Sequence, residues 1–259
     1  MKVGFIGFGE VSYRLSKILF DNGFDVLTSV EGRSIKTKEL VGSIDYIKCL
    51  SNFEEVAKKS DVLISANSPN SALAIALKYG SLTDGIFLDF NNISPDTSKS
   101  IANFLSDDHF VDSAIMGKVQ SEEINIFLSG KLANKIANYF DSSSDIKLTV
   151  VSENIGDVSC LKVLRSMYTK GVSALLIETF ETAKKLGLDE SLWEILELTE
   201  NNSFIDSSKS RINNSYKSSK RKYEELEEVL NFVSLVNDDE QDNMMVEVTR
   251  DKFRVLKNK

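Results

Sequence analysis

Gly7-Phe8-Gly9-Glu10-Val11-Ser12 lies between an apolar run, Lys2–Gly7, and a stretch with apolar residues at Leu15, Ile18 and Leu19. Two glycines so spaced, where a strand gives way to a helix, suit the binding of a pyrophosphate. Gly7 permits the tight turn and Gly9 lets backbone N–H groups approach the phosphates. The helix N-terminus adds favourable partial charge. Ser12 stands where such fingerprints carry a third glycine, a position that needs a small side chain for helix–strand packing. The turn residues assigned to a dinucleotide are Gly7, Phe8, Gly9, Glu10 and Val11.

The end of the second apolar run, Thr28-Ser29-Val30-Glu31-Gly32-Arg33-Ser34, is where the dinucleotide ribose would be read. Arg33 offers a guanidinium fork and Ser34 a short hydroxyl, which together suit a 2′-phosphate. Thr28 adds a hydroxyl at the strand end. The segment therefore favours NADP. Glu31 leaves NAD open, since it can accept ribose hydroxyls, turn to solvent or pair with Arg33.

These residues require a scaffold, and the first half supplies its pattern. Short β-branched or apolar runs at 2–7, 24–29, 46–49, 62–66, 85–90, 109–115, 124–129 and 146–150 alternate with amphipathic stretches, as in βα units feeding a parallel sheet. The two prolines, Pro69 and Pro95, each follow a serine able to cap a helix that starts at the proline. The preceding loops, Asn67-Ser68 and Asn91-Asn92-Ile93-Ser94, then lie at strand ends, where open α/β sheets bind ligands. Asn67, Ser68 and Asn91 are assigned to the cofactor, and Asn92 to catalysis. Ordinary strand-to-helix turn chemistry explains both loops equally well.

Beyond about Ile155 the strand-like runs cease. The expected architecture is an α/β Rossmann domain with a mostly parallel, doubly wound sheet over residues 1–153, followed by an all-α domain over 154–259. A long helix is expected over 157–186, with Leu161, Leu164, Tyr168, Val172, Leu175, Leu176 and Phe180 near the 3.6-residue period and Gly187 as its stop. Further helices are expected over 190–199, 207–235 and 240–256. The basic run 217–222 reads first as a solvated helix face and second as contact with an anion.

The remaining bulk properties narrow the function classes. The chain has 259 residues, 31 Lys+Arg against 39 Asp+Glu and a net charge of −8, which opposes general binding to nucleic acid or membrane surfaces. Cys49 and Cys160 lack CxxC or Cys/His clustering, so neither a disulfide framework nor a metal site is expected. A reducing, cytoplasmic location fits. The first apolar run is short, holds glycines and meets Glu10, unlike a signal peptide. His109, the single histidine, has no catalytic partner motif and reads as structural.

Taken with Asp89-Phe90-Asn91-Asn92-Ile93-Ser94-Pro95, Asp112-Ser113-Ala114-Ile115-Met116-Gly117 and the segment from Gly156 to Lys162, the chain resembles the 6-phosphogluconate dehydrogenase and β-hydroxyacid dehydrogenase superfamily over nearly its whole length. It is closest to a branch of NADP-binding oxidoreductases with a short helical C-terminal domain, Gly-Arg-Ser after the second strand and a Lys-Gly pair, here Lys170-Gly171, in the long helix. The resemblance implies hydride exchange between a nicotinamide and a small, anionic hydroxy acid or its keto counterpart. It makes Lys162 the acid/base and puts Ser166, where the family has Asn, beside it. Met116, Gly117 and Lys118 fall at the substrate loop, where the family has Ser-Gly-Gly. It further implies a substrate cleft and dimerisation in the helical domain, and Leu188, Trp193, Met244, Met245 and Val248 are candidate contacts for a homodimer. Met116 and Ser166 keep open an NADP-binding regulator without turnover, and imine reduction on the same scaffold is a third reading.

Overall fold

The computed structural model describes the whole chain except residues 107, 142–144, 201–202, 237–242 and 259. It forms two compact units, residues 1–162 and 163–259.

In the first unit eight strands make one sheet: β1 (Lys2–Ile6), β2 (Asp25–Ser29), β3 (Ile47–Leu50), β4 (Val62–Ser65), β5 (Ile86–Asp89), β6 (Phe110–Ile115), β7 (Ile124–Ser129) and β8 (Ile146–Ser152). Their spatial order is β3-β2-β1-β4-β5-β6-β7-β8, and every neighbouring pair is parallel except β6–β7. The central strands β1, β4 and β5 are near-continuous apolar runs because helices cover both of their faces. Val3, Phe5 and Ile64 pack into one layer, Ile6, Leu63 and Phe87 into the other. The chain leaves β1 toward β2 and β3, then returns to β4 on the other side of β1. That switch opens a crevice at the strand ends.

Helices α1 (Glu10–Asp21), α2 (Ile35–Gly42), α3 (Phe53–Lys59), α4 (Pro69–Tyr79), α5 (Pro95–Leu105) and α6 (Ala133–Phe140) connect the strands. The expected proline starts hold at both α4 and α5. The Ser94 hydroxyl caps α5 by accepting from the Thr97 N–H at 3.2 Å. Ser68 makes no such cap and instead shares a hydrogen bond with Ser71 at 2.8 Å.

Helix α7 (Asp157–Leu186) begins in the first unit and runs on into the second. Gly187 ends it with φ +69°, and the Leu188 N–H reaches back to the Ala183 carbonyl at 3.0 Å. The second unit continues with α8 (Asp189–Thr199), α9 (Phe204–Lys217), α10 (Ser219–Val236) and α11 (Met244–Leu256). Its core holds Ile177, Leu226, Val229, Val246, Phe253 and Leu256. The sequence expectation of one helix over 207–235 is corrected here, because the chain breaks at Ser218 into α9 and α10. Paired serines compete for backbone hydrogen bonds and weaken a helix at that point. The expected helix start at residue 240 lies outside the described residues, and α11 begins at Met244.

Candidate functional site

The turn after β1 is built so that no side chain fits at its first glycine. Gly7 has φ +94°, and a Cβ there would sit 2.4 Å from the Ala66 carbonyl oxygen and 2.5 Å from Asn67 Oδ1. The backbone of β1 thus lies directly against the loop after β4. Gly9 is the N-cap of α1, and the space its Cβ would take is open. Ser12 is fully buried and its hydroxyl donates to the Gly7 carbonyl at 2.7 Å, so it stabilises the turn that a third glycine would only accommodate. Phe8 packs edge-on against Phe5 in the core and offers the turn only its main chain. Val11 packs against the same core, while Glu10 is exposed.

Arg33 follows β2 and lies over the Phe53 ring, with Cζ 4.9 Å from its centroid. Its Nη2 donates to Asn67 Oδ1 at 3.1 Å, whereas its Nε is buried without a hydrogen-bond partner. A buried guanidinium N–H without an acceptor is costly, and an arriving anion would satisfy it. Glu31, Gly32, Arg33, Phe53, Ser71 and Lys78 line one surface depression, in which Lys78 is a second cation and Glu31 a carboxylate. Ser34 caps α2 by accepting from the Thr37 N–H at 3.3 Å. Thr28 is not brought to this surface: it is fully buried, and its hydroxyl donates to the Phe5 carbonyl at 2.9 Å.

A polar network crosses the strand ends. Arg33 holds Asn67, and the Asn67 N–H donates to Asn91 Oδ1. Asn91 Nδ2 in turn donates to Ser65 Oγ at 2.9 Å and to Asp89 Oδ2 at 2.7 Å. Asp89 is fully buried on β5, directly opposite Asp112 of β6. Burial pushes the Asp89 carboxyl up to about 7; the Asn91 donors and the Lys162 ammonium pull against that rise, and Asp112 adds to it. Asp112 is likewise raised by burial. It accepts from the Ser159 N–H at 3.1 Å and the Ser159 hydroxyl at 2.9 Å, which ties the first turn of α7 to β6. Lys162 lies one turn further along α7 and is half-buried.

The residues expected at a substrate loop lie after β6, in a segment held beside the glycine turn. Gln120 donates to Glu10 at 3.0 Å and Arg14 to the Glu122 carbonyl at 3.3 Å, so the loop after β6 is held against α1. Met116 is half-buried with its N–H bonded to the Asn125 carbonyl at 2.9 Å, while Gly117 and Lys118 are exposed. Asn92 and Ser68 are exposed on their loops. Ser166 lies in the second unit, where its hydroxyl accepts from Lys170. His109 is exposed at the start of β6 and pairs with the Gly85 carbonyl at 3.4 Å. Among the described residues no cluster of His, Cys, Asp and Glu could hold a metal, and no helix is long and apolar enough to cross a membrane. Sequence reasoning gave no role to Asp89, Asp112 or Lys78. For the two aspartates the available signal was a carboxylate in an otherwise apolar strand.

No family model matches the chain. Two relatives span its whole fold. An uncharacterised 28.5 kDa protein encoded in the 7S RNA 5′ region of Methanothermus fervidus is 40% identical, with 98% of each chain covered. A solved protein of unknown function, described as structurally similar to 3-hydroxyacid dehydrogenases, is 39% identical over 100% of this chain and 97% of its own, with a TM-score of 0.84. The chain belongs with these two relatives to one family of proteins with a 3-hydroxyacid dehydrogenase-like fold. More distant solved structures share the fold. The 3-hydroxyisobutyrate dehydrogenase of Mycobacterium tuberculosis, solved with L-serine, has a TM-score of 0.78 at 16% identity, with 98% and 92% of the chains covered. An imine reductase of Myxococcus stipitatus in complex with NADP+ has 0.61 at 15%, with 98% and 95% covered.

Proposed function

We propose that this protein is an NADP-dependent oxidoreductase acting on a small hydroxy acid or its keto counterpart. One observation carries the cofactor reading: the buried, unpartnered Nε of Arg33 beside the glycine turn, with Lys78 in the same depression. The residues fit the group. Gly7, Gly9 and the main chain of Phe8 to Val11 would take the pyrophosphate, and Arg33, Ser34 and Lys78 the 2′-phosphate. Asn67, Ser68 and Asn91 border the same crevice. The hydroxy-acid reading draws on the 3-hydroxyacid dehydrogenase likeness of the 39%-identical relative.

The bound nicotinamide supplies or receives the hydride. The chain's own part is the proton. Lys162 gives a proton to the substrate oxygen when a carbonyl is reduced and takes one when a hydroxyl is oxidised. Asp112 fixes the turn of α7 that precedes it, and Asp89 supplies the nearby carboxyl that responds to its charge. Asn92, exposed on its loop, would take part in catalysis by contacting the substrate, and Lys118 would attract an anionic group. We take residues 1–153 as the nucleotide domain and 154–259 as the part that completes the substrate cleft and forms a homodimer.

A binding protein without turnover is the second reading. It is favoured by the Ser166 hydroxyl, which is engaged by Lys170. A screen of hydroxy acids, keto acids and cyclic imines, following NADPH absorbance, separates the three readings. Oxidation or reduction of an acid supports the first, turnover of imines alone replaces its substrate, and tight NADPH binding with no turnover supports the second. With a substrate in hand, Lys162→Met should lower turnover about 10²–10⁴-fold and leave NADP affinity nearly unchanged. Near-normal turnover across pH would remove Lys162 from the chemistry.

A further inference from the structure

Three helices of the second unit bring cations together around one ammonium that has no carboxylate of its own. Lys222, on the first turn of α10, reaches back across the Ser218 break, and its Nζ donates to Ser215 Oγ at 2.7 Å. Ser215 is fully buried and its hydroxyl donates to the Arg211 carbonyl at 2.7 Å. The Lys222 Nζ also lies 5.5 Å from the centre of the Phe253 ring of α11. Among the described residues no carboxylate lies within ion-pair distance of it. Its charged neighbours are Lys170 of α7, Arg211 of α9, and Arg221 and Glu225 of α10.

Glu225 is already committed. One of its oxygens pairs with the Lys170 Nζ at 2.8 Å and the other with the Arg221 Nε at 3.5 Å. Lys170, only 5% exposed, is held further by the Ser166 hydroxyl. The next acid along α10, Glu228, is held above the usual carboxylate range by burial and by Glu225, which reduces what it offers as a counter-charge. Burial, then the charge of Lys170, lower the Lys222 ammonium to about 8; Arg221 and Arg211 act in the same direction, with Glu225 opposing. A cation kept half-buried among three others is electrostatically expensive unless an anion joins them.

We propose that the second unit carries an oxyanion-binding site, for a carboxylate or phosphate group, with Lys222 as its central donor, Ser215 beside it and the Lys170–Glu225 pair as its fixed wall. The site lies within the second unit, and its wall meets the Ser166 hydroxyl through Lys170; anion binding there is read without any redox turnover. The basic run 217–222 thereby has a ligand-binding member in Lys222.

The test uses the full chain, with inorganic phosphate and malonate as separate probes in titration calorimetry. Binding of either anion that survives Arg33→Ala and is lost in Lys222→Met identifies the site, and the tighter anion names its chemistry. Lys222→Met should weaken the preferred anion at least tenfold, Lys222→Arg should retain it, and Lys209→Met, which removes a cation elsewhere in the unit, should leave it unchanged. Circular dichroism checks that the variants fold. Should Lys222→Met unfold, the wild type still decides the matter: malonate keeps its charge above neutrality, so its affinity should fall as pH rises through about 8. Absence of binding by both anions, equal affinity in a folded Lys222→Met, or a malonate affinity flat across that range would overturn the proposal.

Discussion

Arg33 carries two contacts and one unmet donor: a ring beneath its guanidinium, one hydrogen bond to Asn67 and a buried N–H with nothing to meet it. A 2′-phosphate would satisfy that N–H, and charge-assisted hydrogen bonds contribute about 1.5–3 kcal/mol each. Arg33→Ala should therefore weaken NADP at least tenfold and NAD much less, by titration calorimetry. Equal losses for the two cofactors would end the assignment. Asp89 provides a pH test in the absence of any substrate. Its carboxyl is raised in the folded chain to about 7, above its ordinary value of 3.8. Between those pH values the folded state holds a proton that the unfolded chain has released. The associated stability is complete below about pH 4 and is lost as pH rises through about 7. Asp89→Asn removes this dependence. Relative to that variant, the wild type should lose stability at up to about 1.4 kcal/mol per pH unit between pH 4 and 7 in denaturant titrations. Parallel profiles for the two proteins would show that Asp89 does not titrate in this range.

At the scale of elements, the site depends on two junctions, one at each end of the first unit. At β1–α1, Gly7 holds a left-handed conformation against the Ala66 carbonyl, so Gly7→Ala combines backbone strain with a clash. Strain of this kind costs about 1–3 kcal/mol, and thermal unfolding should register it together with weaker dinucleotide binding. Retained stability and affinity would mean that the turn relaxes. At β6–α7, Asp112 accepts both donors of Ser159 in a buried setting. Asp112→Ala leaves those donors without their acceptor at a cost of about 1–3 kcal/mol. Amide exchange should then accelerate in the first turn of α7, residues 157–160. Exchange there as slow as in the wild type would show that other contacts hold the helix. The break at Ser218 has the opposite use, since ending α9 early lets Lys222 reach Ser215.

At the scale of the whole molecule, the second unit leaves much apolar surface in water. Leu188, Met244, Met245 and Val248 are 54–70% exposed, and Leu198 is 85% exposed. Trp193 differs from them: it stacks on Phe180 with ring centres 3.7 Å apart and serves the packing of its own unit. Fewer than 100 residues of helix bury a modest core, and exposed apolar area of this kind favours association. A homodimer through this unit is therefore expected in sedimentation at micromolar concentration. Met245→Glu with Val248→Glu should shift it to monomer, whereas a monomeric wild type with intact helicity would exclude the interface.

What the sequence alone determined follows from local rules. The eight strands in order, the glycine turn, the proline-started helices and the Gly187 stop were legible because hydrophobic period, φ preference and capping act over a few residues. The assignment of Arg33 and Ser34 to a phosphate rests on the same kind of local reading, a short segment after a recognisable strand. Only tertiary structure decided which polar groups share a neighbourhood. It buried the Thr28 hydroxyl on β1, set Asp89 opposite Asp112, joined Lys78 to Arg33 in one depression and brought Lys170, Arg211 and Lys222 together from three helices. Those relations depend on sheet register and helix packing between residues far apart in the chain, and a single sequence carries no local signal for them.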